Sequence, residues 1–156
     1  MSNLTLRRAL YSEQDTRDLA ASLARLARPG DVIALEGDLG AGKTVFARAF
    51  VTALGGGEEV PSPTFTLVQS YDSASGPIHH FDLYRLTSPE DTFELGLEEL
   101  LPDGISLIEW PDRLGPYMPK DHLIIRMIEN STSRRFVEAV GAGDWVHRLD
   151  DLKELF

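Results

Sequence analysis

Apolar and polar positions change period along this chain, and the changes mark out its elements. Residues 3–10, NLTLRRAL, alternate closely enough to predict a first strand. Ser12 then precedes EQDTRDLAASLARLA, in which Leu19, Leu23 and Leu26 fall near one face of a helix that Arg28-Pro29-Gly30 ends. The run 31–37, DVIALEG, has the pattern of a short buried strand. It leads through a glycine-rich turn into a helix over 43–54, stopped by Gly55-Gly56-Gly57. Pro61 and Pro63 hold the backbone out of helix, so Ser62 and Thr64 are expected on an extended loop before a strand over 65–71. DSASG turns the chain into another strand over 76–86, and SPEDTFELGLEELL (88–101) predicts a helix with Pro89 in its first turn. GISLIEWP (104–111) is a strongly apolar strand ended by Pro111. HLIIRMIEN and RRFVEAVG predict a hairpin turning around 130–134, and 144–155 a terminal helix. Helix and strand alternate until that hairpin, so the expected fold class is α/β, three layers about a mixed parallel and antiparallel sheet.

Composition narrows this picture in three ways. A chain of 156 residues is expected to form one domain, 1–156, burying roughly 68–70% of its unfolded surface. Its apolar runs fall far short of the about 20 residues needed to cross a bilayer, and residues 1–15 lack a signal-peptide pattern. A cytoplasmic location with no membrane partner is therefore expected. The absence of cysteine excludes disulfides, thiolate metal sites and cysteine nucleophiles. Net charge is −10, from 25 acidic against 15 basic residues, which weighs against the chain holding a nucleic acid by itself. Solubility is the simpler reading of that acidity.

Chemistry concentrates between the second strand and the second helix. Gly37-x-x-x-x-Gly42-Lys43-Thr44 is the pattern of a phosphate-binding loop. Glycines at 37, 40 and 42 allow a tight turn whose N–H groups face phosphate oxygens at the positive end of a helix. Lys43 can reach the β- and γ-phosphates, and the Thr44 hydroxyl can hold Mg²⁺. The strand before and the helix after are what the mechanism requires, so a P-loop NTPase-like domain is expected, with Asp38, Leu39, Gly40, Ala41 and Val45 also bordering the nucleotide. Val45 stands where many such loops carry a second Ser or Thr.

Such a loop needs a carboxylate to organise Mg²⁺ and water. Two acids stand at strand ends, Asp82 in HHFDLYR and Glu109 in SLIEWP. Two converging carboxylates repel unless a cation lies between them. Each also has a blander interpretation as a strand-end surface acid. Thr64 is a candidate γ-phosphate sensor. His79 and His80, neighbours on a strand, point to opposite faces and cannot pair on a metal.

GDLGAGKT, VPSPTFTLV, HFDLYRL and LIEWPDR, in that order, resemble the bacterial TsaE family, also called YjeE, over essentially the whole chain. The resemblance implies an ATPase of the tRNA threonylcarbamoyladenosine (t6A) pathway that serves TsaB and TsaD, the pair transferring the threonylcarbamoyl group. It implies ATP and Mg²⁺ as cofactors, and contact with tRNA only through that complex. By motif, Lys43 and Thr44 would bind phosphate and metal, Glu109 would coordinate Mg²⁺, and Asp82 would be the second acid needed for hydrolysis. Thr64 would lie in a switch-like loop, and Trp110 near the nucleotide. Glu13 and Arg134 match, on looser alignment, positions that border the nucleotide. Val45 departs from the family's usual Thr. A small-molecule P-loop kinase is the main alternative, but it would need an arginine-rich lid, for which Arg134 and Arg135 are the compact candidates. A GTPase would need an Asn/Thr-Lys-x-Asp motif, which is absent.

Overall fold

The computed structural model describes residues 5–37, 41–56, 67–130, 132 and 134–156. Asp38, Leu39, Gly40, Ser62 and Thr64, all singled out above, lie outside the described residues.

Strands β1 (Thr5–Leu10), β2 (Val32–Gly37), β3 (Val68–Tyr71), β4 (Ile78–Asp82), β5 (Ile105–Glu109), β6 (His122–Glu129) and β7 (Arg135–Ala142) form one sheet in the order β1-β7-β6-β2-β5-β4-β3. The centre, β6-β2-β5-β4, is parallel, while β1 with β7, β7 with β6 and β3 with β4 are antiparallel. The mixed sheet expected from the pattern is therefore present. Strand β2, which feeds the glycine turn, lies between β5 and β6, so three strands deliver their carboxyl ends to one place.

Alternation along the central strands sends side chains to two separate cores. Ile33 and Leu35 of β2, Leu107 of β5 and Ile125 of β6 pack with Leu19 and Leu23 of helix α1 (Glu13–Leu26) and Phe46 and Phe50 of helix α2 (Ala41–Ala53). Val32, Phe81 and Ile108 face the other way, onto Leu97 of helix α3 (Leu97–Leu100) and Leu114. Helices thus cover both faces of the sheet, giving three layers. No helix among the described residues is long and apolar enough to cross a membrane.

Helix α1 starts as its sequence indicates. The Ser12 hydroxyl accepts from Asp15 N at 3.2 Å, and the Asp15 carboxylate accepts from Tyr11 N at 2.8 Å. Such a cap contributes about 1 kcal/mol. At the opposite end of the sheet from the glycine turn, Arg148 of helix α4 (Trp145–Arg148) donates to both oxygens of Asp31, at 2.6 and 3.0 Å, and to Leu26 O at 3.1 Å.

Three expectations need correction. The strand expected over 76–86 ends at Asp82, because the Asp82 carboxylate accepts from Tyr84 N at 3.1 Å and Leu86 N bonds back to Leu83 O at 3.0 Å, closing a turn. The helix expected over 88–101 is two pieces, a 3₁₀ turn at Pro89–Phe93 and α3, parted by Gly96 in the left-handed region at φ 73°. The terminal helix expected over 144–155 is α-helical only through α4 and continues as a 3₁₀ turn, Leu149–Leu155.

Candidate functional site

Gly37 closes β2 with φ 152°, and a Cβ there would lie 2.8 Å from the carbonyl oxygen of Met127 on β6. Only glycine lets the chain turn this close to its neighbour strand. Helix α2 begins at Ala41, so Gly42, Lys43, Thr44 and Val45 all fall in its first turns, at the positive end of its dipole. Lys43 is 4% exposed. Its Nζ donates to Gly37 O at 3.0 Å and stands 3.8 Å from the centroid of the Trp110 ring. The ammonium is thereby held beside the end of β2 by a carbonyl and a π-face.

Register brings the two acids together. Asp82 on β4 pairs with Glu109 on β5, and Glu109 pairs with Leu35 on β2. Glu109 is 4% exposed and meets the Nε2 of His80, which is 1% exposed, at 2.7 Å. The Asp82 carboxyl is pushed above the usual aspartate range, chiefly by burial and further by the charge of Glu109. The Tyr84 N–H, His80 and Lys43 pull it back down.

Trp110 follows Glu109 with φ 59° and ψ 53°, the left-handed region that non-glycine residues rarely adopt. That twist carries the indole back over Lys43 and against Tyr84, ring centroids 4.9 Å apart. A cleft of about 360 Å³ is lined by Gly37, Lys43, Trp110, Arg126, Met127 and Glu129. Arg126 is held there by Glu36 at 2.9 Å.

Glu13 and Arg134 lie apart from this cleft. They line a second one, of about 720 Å³, with Tyr11, Ser12 and Arg135, where β1 meets the start of β7. Glu13 also borders the groove between α1 and α2 that contains Val45. Val45 and Glu13 therefore share one groove, Glu13 and Arg134 share the larger cleft, and Lys43 borders neither. Two features escaped the sequence reading. Tyr11, 89% exposed, stands beside Glu13 and Arg134. His80 bonds the central carboxylate, and only the His-x-Asp spacing, which puts His80 and Asp82 on one face of β4, hinted at it. The two histidines do diverge, since His79 bonds Ser70 and Asp103.

A buried lysine at the head of a helix, acids at the ends of neighbouring parallel strands and a mixed, helix-covered sheet define an α/β protein with the P-loop NTPase fold. The crystal structure of Bacillus subtilis YdiB superposes with a TM-score of 0.80 at 30% identity, covering 99% of this chain and 96% of that one. The family model for the threonylcarbamoyl adenosine biosynthesis protein TsaE matches residues 10–137, and this chain belongs to the TsaE family. Proteins named tRNA threonylcarbamoyladenosine biosynthesis protein TsaE are similar to it in several bacteria. That of Bacillus subtilis (strain 168) is 36% identical over 132 residues, 84% of this chain and 82% of the relative. Those of Rickettsia conorii and Rickettsia felis are 47% and 46% identical over 104 residues, 66% of this chain. The match spans 59% and 61% of those two relatives' own lengths.

Proposed function

We propose that this chain is the MgATP-hydrolysing accessory protein of t6A formation, acting in the cytoplasm to support turnover of the TsaB–TsaD transferase, with tRNA held by that complex. The observation that carries the proposal is the convergence of Lys43, Glu109 and Asp82 at the carboxyl ends of three adjacent strands, in a chain of the TsaE family.

The donor set suits a magnesium ion. Glu109 and Asp82 are two hard oxygen donors whose charges oppose each other, and a cation between phosphate and carboxylate relieves that opposition. Among the described residues no cluster of three or more His, Cys, Asp or Glu is arranged to hold a metal alone. That agrees with Mg²⁺, which is bound through one or two carboxylates plus substrate phosphates. Glu109 and the Thr44 hydroxyl would hold it, and when bound it supplies neutralisation of phosphate charge.

The remaining work belongs to the chain itself. The α2 amides and Lys43 receive the phosphates, and Lys43 exchanges the Gly37 carbonyl and the indole for phosphate oxygens. Asp82, paired with Glu109 across β4 and β5, orders the attacking water. Val45, Glu13 and Arg134 border the rest of the nucleotide. Charge set in place before reaction supplies most of the acceleration. No arginine finger is evident in the sequence, so turnover by the chain alone is slow and a partner completes the site.

Steady-state hydrolysis of MgATP, by the chain alone and with purified TsaB and TsaD, tests this. Slow release of phosphate that the pair stimulates is expected. Hydrolysis indifferent to the pair, or a phosphorylated small molecule in place of free phosphate, would contradict it, the latter in favour of a kinase. Glu109→Ala and Asp82→Ala should each reduce hydrolysis more than they reduce ATP binding.

A further inference from the structure

His80 is one of the least exposed polar side chains among the described residues, at 1%, and it lies beside Glu109. It shares a face of β4 with Asp82, two residues on. Its Nε2 is 2.7 Å from Glu109 Oε2. Its Nδ1 has no partner among the described residues. These two facts choose the tautomer. If Nε2 accepted from a protonated Glu109, the proton on Nδ1 would be a buried donor with no acceptor, and the bond to the carboxyl would join two neutral groups. With the proton on Nε2, the ring donates to an ionised carboxylate, the stronger charge-assisted bond that the 2.7 Å separation fits, and Nδ1 is left as an acceptor.

A carboxylate side chain with a single firm bond has one oxygen occupied and the other free to turn toward a ligand. At Glu109 the occupied oxygen is Oε2, and the side chain, 5% exposed, has little room for another rotamer. Apolar packing alone would bury the carboxylate without orienting it. The bond to His80 does both.

We propose that His80 is the positioning residue for Glu109: by donating Nε2–H to Oε2 it presents Oε1 to the divalent cation. The proposal rests on the assignment of Glu109 as the Mg²⁺ ligand. It makes His80 an outer partner of a ligating carboxylate, a class of residue whose loss typically weakens metal affinity about 10- to 100-fold.

The test compares wild type, His80→Gln, His80→Asn and His80→Leu, each checked for cooperative thermal unfolding. A Gln amide reaches as far as Nε2 and can donate to Glu109. An Asn amide reaches only as far as Nδ1 and cannot, and Leu has no donor at all. ATP affinity is measured by calorimetry with EDTA and then across a series of Mg²⁺ concentrations. The expected result is that all four bind metal-free ATP alike. His80→Leu and His80→Asn should need about tenfold more Mg²⁺ to reach full affinity, while His80→Gln stays near wild type. Should His80→Leu fail to fold, the Gln and Asn pair carries the same comparison. Equal Mg²⁺ dependence across the folded variants would overturn the role of His80 and leave the nucleotide site standing. A wild type that binds no ATP, or gains nothing from Mg²⁺, would overturn the site assignment and the role of His80 with it.

Discussion

Lys43 is nearly buried, yet its ammonium is not simply stored away. The Gly37 carbonyl at 3.0 Å and the Trp110 face at 3.8 Å are partners a phosphate can displace, because each satisfies the charge only in part. Trp110 emission should therefore change on addition of MgATP and stay constant in Lys43→Ala, as read by fluorescence titration. Two further residues make separate predictions. Val45 offers only its backbone N–H where a hydroxyl could add a bond. Val45→Thr should then tighten ATP binding by about 0.5–1.5 kcal/mol, several-fold in Kd. Asp82 has its carboxyl raised in the folded state, first by burial and then by Glu109. A raised carboxyl favours folding most fully below the unfolded aspartate value and loses that contribution as pH climbs through the folded value. Asp82→Asn can still accept from Tyr84 N and removes the charge. In EDTA and without nucleotide, it should melt above wild type at neutral pH, with the gain closing as pH falls into the ordinary aspartate range. A gain independent of pH would assign the effect to packing.

Among the elements, those set by local pattern were the most legible. Alternation, the Ser12 cap and the apolar run of β2 marked β1, α1 and β2 closely, and the strand–turn–helix order placed Lys43 where the structure has it. Departures came where a single residue overrode the pattern. Gly96 takes a left-handed conformation and divides a segment whose acids and leucines otherwise read as one helix. Gly96→Ala should lower stability by about 1–2 kcal/mol in a denaturant melt, with ATP binding unchanged. Asp82 ends its own strand by accepting from Tyr84, a turn that HFDLYRL concealed because its apolar alternation runs on. The acids at 82 and 109 were legible as strand ends. Their pairing, and the His80 bond, were not, since both depend on the parallel register of β4 and β5, strands separated by more than 20 residues in the chain. Thr64 keeps its place as an expectation from motif, outside the described residues.

Seen as a whole molecule, the sheet separates stability from function. Its carboxyl-end edge gathers charge that is costly to bury, namely Lys43, Glu109 and Asp82. The other end of β2 is tied by the Asp31–Arg148 pair, well hydrogen-bonded and stacked on Trp145 at 3.8 Å. Removing one partner of so enclosed a pair costs about 3 kcal/mol or more. Arg148→Ala should thus lower the unfolding free energy by that order, and leave the ATP affinity of the folded fraction intact. The net charge of −10 weighs against this chain gripping a nucleic acid by itself. Everything functional in this account depends on one property, a nucleotide seated at the head of α2. Calorimetric titration of MgATP into the wild-type chain and into Lys43→Ala tests it most directly. Saturable binding of one ATP per chain, abolished by Lys43→Ala, is the expected result. No binding to wild type, or equal binding to both, would contradict it.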